Sequence, residues 1–472
     1  MINEQVQRAK YVVGDYIMSC VAWVGYNCVR YWMNAVHGSY SSLGQFMTTR
    51  NVVLGYIFFP MLMMCVYALS GYYNEVFRKS RLQELFTTFW SAVVNTLVIF
   101  FLALINDVKL PRGFNYEMIL ILWALLFFGV YFVRCIITNF TSRKIKSRQW
   151  SSRTLIVGRG TAAVSFVNKL NTMRDSLGYK VLGFVRIPGE NDAKATGLPC
   201  YDIESISEVC DKEKIEEIIV VPTRQDSEVV LNAINRLFAL HLPIKTTPSR
   251  NNILLSNVRI NDMQGVPLVD ISGSSMSACE KNIKRLIDIV VSVLALIILS
   301  PFLLIIAIAI KMDSKGSVIY SQERVGYHNI PFKILKFRSM VDNAESGNVP
   351  QLTADNDPRV TRMGRFMRKY RIDELPQFWN VLRGEMSIVG PRPERQYFVE
   401  RIQRIVPSYA LLHQVRPGIT SLGMVKYGYA QNVEEMVERL NYDLIYLENM
   451  SLINDVKIMV YTIMIVFTGR GM

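Results

Sequence analysis

Between residues 320 and 420 the sequence is dense in cations that are separated by glycine, proline and aromatic residues. A solvated charged face rarely carries this much proline and glycine. Arg392 lies between two prolines, and such a rigid backbone suits fixed, bidentate contact between a guanidinium and phosphate oxygens. The cations therefore predict a multiply charged anionic ligand, for which a pyrophosphate qualifies. They fall in four clusters: RVG at 324–326, FKILKFRSM at 332–340, RKYRIDELPQ at 368–377 and GEMSIVGPRP at 384–393.

Asp373 and Glu374 form an adjacent carboxylate pair inside the third cluster. Transfer from a pyrophosphate needs positioning, charge neutralisation and, in covalent mechanisms, a nucleophile. One carboxylate can attack phosphorus while the other holds Mg²⁺ against the phosphate oxygens. The alternative is a solvated helix start, which is the usual role of an Asp-Glu pair and agrees with Pro376 just after it.

An apolar run at 286–310 precedes the clusters and must help to position them. It is long enough to span a bilayer as a helix, and a crossing from the cytoplasm would deliver residues 311–472 to the outside. Ser300-Pro301 lies near its middle, where proline removes a backbone hydrogen bond and a serine hydroxyl can bond the freed carbonyls. The orientation rule also places nearby cations inside: Lys311, Lys315, Arg324, Lys333, Lys336 and Arg338. We therefore predict a bent, re-entrant helix that enters and leaves on one face.

Four more apolar runs, at about 11–29, 52–70, 87–105 and 117–140, predict four transmembrane helices. Asp15 and two glycines interrupt the first run, but no small-residue cleavage site follows it, so we expect it to stay attached. Lys and Arg concentrate in three flanks and are fewer in the other two loops, which places the N-terminus and everything after residue 140 in the cytoplasm. The rich flanks hold Arg8, Lys10, Arg78, Lys79, Arg81, Arg143, Lys144, Lys146, Arg148 and Arg153; the poor loops hold Arg30, Arg50, Lys109 and Arg112.

Strands alternate with helices from about 154 to 270, the pattern of a parallel α/β sheet. The strand signals are TLIVG at 154–158, KVLGFV at 180–185 and EEIIVVP at 216–222. Residues 158–163 read as a GxGxxA form of the dinucleotide fingerprint, but Arg186 stands where an acidic ribose ligand is expected. A tight turn in a degenerate Rossmann-like domain is thus favoured over nucleotide binding.

Three domains follow from these patterns: four transmembrane helices in 1–140, a Rossmann-like domain in 141–275 and a catalytic domain in 276–472. A basic linker at 141–153 and a small, polar linker at 271–279 separate them. The apolar stretch 458–467, between Lys457 and Arg470, is too short to cross and is expected to lie in the interface or to pack under the last domain.

Overall charge and cysteine usage agree with a membrane protein that faces the cytoplasm. The formal net charge of +14 indicates nucleic acid, or else an anionic membrane surface with phosphorylated substrates. With four spans placed, the second is favoured, and no nucleic-acid partner is expected. The seven cysteines show no paired short spacing, which argues against a disulfide framework or a zinc site.

The run 365–393, with DELPQ, NVL, GEMS and VGPRP, resembles the signature of the bacterial sugar transferases, which are monotopic phosphoglycosyl transferases. The resemblance covers about 281–472, and the spans with the Rossmann-like domain resemble the long-form members. The expected fold is an α/β membrane protein with a four-helix transmembrane region, a Rossmann-like parallel domain and a mostly helical catalytic domain with a re-entrant helix.

The resemblance implies an inner-membrane enzyme in which Asp373 attacks the β-phosphate of a UDP-sugar and releases UMP. Undecaprenyl phosphate then attacks the phosphosugar intermediate, in the first membrane step of exopolysaccharide, capsule or O-antigen synthesis. Glu374 matches the Mg²⁺ ligand, and Arg368 and Arg392 match phosphate-binding positions. Glucose is favoured over galactose as the donor sugar. The remaining partners are membrane lipid and, as an open alternative, a second copy in a homo-oligomer.

Some positions depart from the family pattern without removing an assigned chemical role. Tyr370 and Arg371 stand where a small hydroxyl residue and serine are common, Glu385 where aspartate is common, and Ser421 where glycine is frequent. Arg371, beside the nucleophile, could alter donor preference. Four further cations are assigned to substrate or phosphate binding, with pairing to acidic neighbours or lipid headgroups as the alternative: Lys333, Lys336, Arg338 and Arg416.

Two other functions make different predictions. A membrane-anchored nucleotide-sugar oxidoreductase predicts an acidic ribose ligand and a Tyr-x-x-x-Lys motif, and neither stands in the expected place. A membrane scaffold or sensor of polysaccharide assembly predicts that Asp373→Asn leaves function intact. For the spans and the Rossmann-like domain, oligomerisation or regulation is the working hypothesis.

Overall fold

A computed structural model of the chain describes most residues, and these form two compact units. The first unit holds residues 1–151, 172–179 and 277–283, and the second holds 152–171, 180–276 and 284–472. The three predicted domain limits stay a prediction. The described residues are 4–35, 42–77, 79–104, 112–188, 197–221, 228–240, 242–247, 268–271, 275–313, 315–341, 357–428 and 430–468. Four residues used in the predictions lie outside them: Arg78, Lys109, Pro222 and Arg470.

Long helices dominate the first unit. They are α1 (Glu4–Ala35), α2 (Leu43–Met47), α3 (Arg50–Leu69), α4 (Arg81–Ile99), which continues as a π-helical turn at Phe100–Leu104, and α5 (Arg112–Lys146). Aromatic and aliphatic side chains of α1, α3, α4 and α5 form a common core.

A buried ionic network lies inside this helical core. Arg134 and Asp15 are both fully buried, with Nη2 and Oδ2 2.6 Å apart. Tyr73 donates to the same Oδ2 at 2.7 Å, and Arg134 Nη1 donates to Thr88 Oγ1 at 2.8 Å. Charges inside apolar helices are stable only when they are paired in this way. Asp15, which interrupts the first apolar run, therefore fixes α1 against α5.

Five described helices are long and apolar enough to cross a membrane. They are Glu4–Met33, Arg50–Leu69, Arg81–Leu102, Tyr116–Lys146 and Ala278–Asp313. The four predicted N-terminal runs fall within the first four, apart from the ends of the second and third. The fifth contains the run at 286–310.

The second unit contains a six-stranded sheet with the strand order β3-β2-β1-β4-β5-β6. Its strands are β1 (Ser152–Val157), β2 (Tyr179–Arg186), β3 (Cys200–Asp202), β4 (Glu217–Val220), β5 (Ile244–Thr246) and β6 (Val269–Asp270). Pairings are parallel except for β6, which is antiparallel to β5. Helices α6 (Thr161–Thr172), α7 (Ile206–Glu213) and α8 (Glu228–Phe238) alternate with the strands. The predicted parallel sheet is confirmed, and the edge strand β6 was not foreseen.

Residues 284–468 supply the rest of the second unit and include most of the apolar helix α9 (Ala278–Asp313). Strands β7 (Ile319–Val325) and β8 (Pro331–Phe337) form an antiparallel hairpin, and β9 (Ser387–Val389) pairs in parallel with β10 (Gly418–Thr420). The helices are α10 (Arg362–Lys369), α11 (Gln377–Arg383), α12 (Gln396–Ile405), α13 (Leu422–Lys426), α14 (Val433–Glu448) and α15 (Leu452–Thr468).

A 3₁₀ segment, Pro407–Gln414, joins two hydrophobic cores of the second unit. Ala410 and Leu411 belong to the core of the six-stranded sheet, where α8 also packs. Tyr409 and Leu412 belong to the core formed with α12 and α14. One short segment thus contributes to both cores.

Candidate active site

Asp373 and Glu374 lie on a 3₁₀ turn, Ile372–Glu374, between α10 and α11. They are buried, with 6% and 3% of their surface exposed. Pro376 caps the start of α11, as the helix-start alternative predicted. That alternative is wrong about solvation, because both carboxylates are buried. Buried carboxylates need compensating charge, and the neighbouring side chains supply it.

Three cations surround Glu374. Lys336 Nζ donates to Oε1 at 2.9 Å, and Arg392 Nη1 lies 3.5 Å from the same oxygen. Arg371 Nη1 lies 3.6 Å from Oε2. Burial alone raises the pKa of this carboxyl, but Lys336, Arg371 and Arg392 together outweigh burial and lower the pKa to about 2. Glu374 therefore carries its negative charge throughout the physiological range.

The pKa of Asp373 shifts in the opposite direction. Burial raises the pKa of its carboxyl, and the charge on Glu374 raises it further. Lys336, Arg368 and Arg371 act against this shift without cancelling it. Glu374 is therefore held as an anion by its cations, whereas the carboxyl of Asp373 is more basic than usual.

The cations reach the pair from three separate elements. Lys336 comes from β8, and Arg368 from α10, where its Nε donates to Ser339 Oγ at 2.9 Å. Arg392 comes from the Pro-Arg-Pro segment between β9 and α12. The structure thus brings the second, third and fourth predicted clusters to one carboxylate pair.

The other predicted cations make contacts elsewhere among the described residues. Lys333 is exposed and lies on the face of β8 opposite Lys336, because strand side chains alternate. Arg338 is buried and donates to the carbonyls of Lys315 at 2.9 Å and Ile310 at 3.5 Å, where α9 ends. Arg416 Nε donates to the Gly384 carbonyl at 2.9 Å. Their assignment to substrate binding stays a prediction.

Glu394 was missed by the sequence reasoning and organises the arginines behind the site. It is buried, and its oxygens lie 2.6 Å from Arg439 Nη2, 3.1 Å from Arg324 Nη1 and 3.7 Å from Arg392 Nε. Burial raises the pKa of Glu394, but Arg439, Arg324 and Arg392 reverse the shift and lower it. The available signal was its position directly after the Pro-Arg-Pro segment. Glu394 therefore fixes the guanidinium that also approaches Glu374.

Asn380, fully buried on α11, ties the strand that carries Lys336 to the helix that follows the pair. Its Oδ1 accepts from the Leu335 amide at 3.0 Å, and its Nδ2 donates to the Lys333 carbonyl at 2.8 Å. Nδ2 also donates to Glu385 Oε2 at 2.6 Å. Because these bonds satisfy a buried amide with backbone groups of β8, they hold β8 and α11 in a fixed mutual position.

The apolar helix α9 packs its first turns against the same region. Lys284 Nζ donates to the Val389 carbonyl at 2.9 Å, and Asp288 Oδ1 accepts from the Ile388 amide at 3.1 Å. Further along, α9 is assigned as one helix through Pro301, and Ser300 Oγ donates to the Ile297 carbonyl at 2.8 Å. This bond is the repair predicted for the proline position. The re-entrant path itself stays a prediction.

The donor set fits a magnesium ion in one specific way. Mg²⁺ is usually held by one or two carboxylates together with waters and substrate phosphates. Asp373 and Glu374 offer such a pair, and no group of three or more His, Cys, Asp or Glu side chains is arranged for a metal within the described part of the chain. A metal here would therefore depend on phosphate oxygens from a substrate.

Comparisons with known proteins match two families to this chain. Residues 279–469 match the family described as "Bacterial sugar transferase", and residues 68–248 match the family described as "CoA-binding domain". A solved UDP-D-quinovosamine 4-dehydrogenase from Vibrio fischeri matches 26% of this chain and 93% of its own, at 18% identity and a TM-score of 0.20, too low to support an inference.

Three curated relatives are named as phosphosugar transferases. The UDP-N-acetylgalactosamine-undecaprenyl-phosphate N-acetylgalactosaminephosphotransferase of Aeromonas hydrophila is 41% identical over 49% of this chain and 54% of its own. The other two relatives are both named UDP-glucose:undecaprenyl-phosphate glucose-1-phosphate transferase. That of Klebsiella pneumoniae is 35% identical over 65% of this chain and 66% of its own, and that of Escherichia coli is 32% identical over 69% and 70%. The chain spans about half to two-thirds of the length of the first two.

Proposed function

Because the chain belongs to the bacterial sugar transferase family, we propose that it transfers a sugar-1-phosphate from a UDP-sugar to undecaprenyl phosphate, with Asp373 as nucleophile. One observation carries the proposal. A buried carboxylate with a raised pKa stands beside a second carboxylate whose charge is fixed, and cations from three elements lie around the pair. This arrangement suits attack on a phosphorus whose oxygens must be neutralised.

The proposed reaction has two displacements at one phosphorus atom. An Asp373 carboxylate oxygen bonds to the β-phosphorus, the bond from that phosphorus to the bridging oxygen breaks, and UMP leaves with the electron pair. A phosphate oxygen of undecaprenyl phosphate then bonds to the same phosphorus and releases the Asp373 carboxylate. The product is the lipid-linked diphosphate sugar, and no net oxidant or reductant is needed.

The cations divide the remaining work. Arg392, held from behind by Glu394, and Arg368, held by Ser339, are proposed to bind the donor phosphates. Lys336 holds Glu374 by an ion pair. It also lowers the pKa of Asp373 and so favours the carboxylate form of that residue. When bound, Mg²⁺ would be held by Glu374 and would neutralise donor phosphate charge.

For the membrane we propose four crossings by the N-terminal helices and a re-entrant α9, with the N-terminus and the active site on the cytoplasmic face of the inner membrane. The basic flanks and the cations just after α9 support this orientation. The names of the relatives cover glucose and N-acetylgalactosamine, and glucose is our first choice, with galactose as an alternative.

The decisive experiment uses labelled UDP-glucose, UDP-galactose and UDP-N-acetylgalactosamine with the purified full-length protein and Mg²⁺, in the absence of a lipid acceptor. We expect a labelled protein adduct that Asp373→Asn does not form, and release of label to lipid when undecaprenyl phosphate is added. Turnover by Asp373→Asn at the wild-type rate would refute Asp373 as the nucleophile, and no transfer by either protein would favour a scaffold role.

A further inference from the structure

Arg371 occupies an unusual backbone position beside the carboxylate pair. Its φ and ψ are 53° and 25°, in the left-handed region, where residues other than glycine are uncommon. Its amide donates to the Arg368 carbonyl at 3.2 Å, and its carbonyl accepts from the Glu374 amide at 3.2 Å. Such a conformation costs free energy and persists where the surroundings hold it, often at functional sites. Here it links α10 to the turn that carries the pair.

The guanidinium of Arg371 is buried, with 7% of the side chain exposed, and it faces a particular oxygen of Glu374. Oε1 is already engaged by Lys336 at 2.9 Å and approached by Arg392 at 3.5 Å. Oε2 faces Arg371 Nη1 at 3.6 Å. A magnesium ligand oxygen must come within about 2.0–2.1 Å of the ion. Arg371 therefore stands on the side of Glu374 that a metal would approach.

Resting on the proposed function, we propose that Arg371 is a positioning residue that competes with the divalent cation for Glu374 and so makes metal binding depend on the donor. Without a donor, the fixed positive charge at Oε2 opposes a second cation there. Donor phosphates offer Arg371 anionic oxygens that a guanidinium can bind in a bidentate way. When Arg371 binds the donor phosphates, Glu374 Oε2 becomes available to the metal. By linkage, the donor then strengthens metal binding and the metal strengthens donor binding to the same extent.

The family resemblance supplies the natural comparison, since serine is common where this chain has Arg371. Arg371→Ser removes the charge that faces Oε2 and leaves Lys336 and Arg392 in place. Arg371→Lys keeps a charge at the position. Lys369 provides a matched control, because it is exposed on α10 and Lys369→Ser makes the same change in net charge two residues away.

The test measures Mn²⁺ binding by electron paramagnetic resonance on the full-length protein in nanodiscs of neutral lipid, with Mg²⁺ as competitor and no donor present. We expect Arg371→Ser to bind Mn²⁺ about tenfold more tightly than wild type, which is about 1.4 kcal/mol. Arg371→Lys and Lys369→Ser should stay within about twofold. Adding UDP, which carries the donor's phosphates, should tighten Mn²⁺ binding by wild type by about the same factor and that by Arg371→Ser much less.

A double-mutant cycle isolates the contact. In a Glu374→Gln background, Arg371→Ser should have no further effect on Mn²⁺ affinity. Unchanged affinity in Arg371→Ser, or an equal gain in Lys369→Ser, would overturn the proposal. If thermal unfolding shows that the serine variant is not folded, Arg371→Gly replaces it, because glycine suits the left-handed backbone. Because the readout needs no turnover, an absent adduct with the expected Mn²⁺ pattern would reject the proposed reaction and leave this inference standing.

Discussion

Replacing Lys336 with methionine should slow formation of the protein adduct without unfolding the site. The ammonium lies 2.9 Å from Glu374 Oε1, and the two side chains are 18% and 4% exposed. After burial, Lys336 is the largest influence on the pKa values of both Asp373 and Glu374, and it lowers both. Its loss therefore raises both pKa values and leaves less of Asp373 as the carboxylate at a given pH.

The size of the expected rate loss follows from the distance between the charges. Two unit charges about 4 Å apart interact by about 4 kcal/mol at an effective dielectric constant near 20. A preorganised charge removed from an active site typically costs about 10²–10³ in rate, or about 3–4 kcal/mol. The two values agree, so we expect Lys336→Met to lower the single-turnover rate of adduct formation by about 10²–10³.

Three measurements separate an electrostatic effect from damage to the fold. Lys336→Arg keeps the charge and should recover much of the rate, and Lys180→Met, at an exposed position of β2, should leave it unchanged. Raising the pH should partly restore Lys336→Met, because Asp373 then regains its charge. A folded Lys336→Met protein that forms the adduct within about threefold of the wild-type rate would refute the reasoning.

Three more outcomes are expected. The raised pKa of Asp373 means that its carboxylate is lost, as pH falls, at a higher pH than the ordinary value of about 3.9; a kcat/KM profile with no acid limb above that value would contradict this. Glu394→Gln leaves buried guanidinium groups unpaired and should reduce the free energy of unfolding by about 3–5 kcal/mol, seen as a lower thermal midpoint; an unchanged midpoint would show that the charges are compensated elsewhere. In Gly364→Ala, the new Cβ would collide with the Ser339 carbonyl, so a loss of about 1–3 kcal/mol is expected, and unaltered thermal unfolding would mean that α10 can shift freely.

The carboxylate pair could be selected from the sequence because its members are adjacent and its motif is local. Asp373, Glu374 and the four basic clusters could all be read from a short stretch of chain. Burial of the pair could not, since it depends on packing between β8, α10 and α11. The lowered pKa of Glu374 depends in turn on Lys336, which lies 38 residues away in the chain.

Ion pairs between residues far apart in the chain were the main features that could not be predicted from the sequence. Asp15 weakened the prediction of the first membrane helix, yet it pairs with Arg134, 119 residues away. Arg439 lies 45 residues from Glu394. Pattern and propensity describe neighbours along the chain, and such partners meet only when helices pack. The parallel sheet was predictable because β1 and β4 are short, mostly buried apolar runs.

The 3₁₀ segment Pro407–Gln414 bears on how this protein can be dissected. Ala410 and Leu411 are shared with the core of the six-stranded sheet, so a fragment starting near residue 276 would expose an apolar seam to water. Such a fragment should self-associate even if every reactive group is intact. A minimal version should first make the exposed surface hydrophilic, for example with Ala410→Ser, before the activity of the fragment is judged.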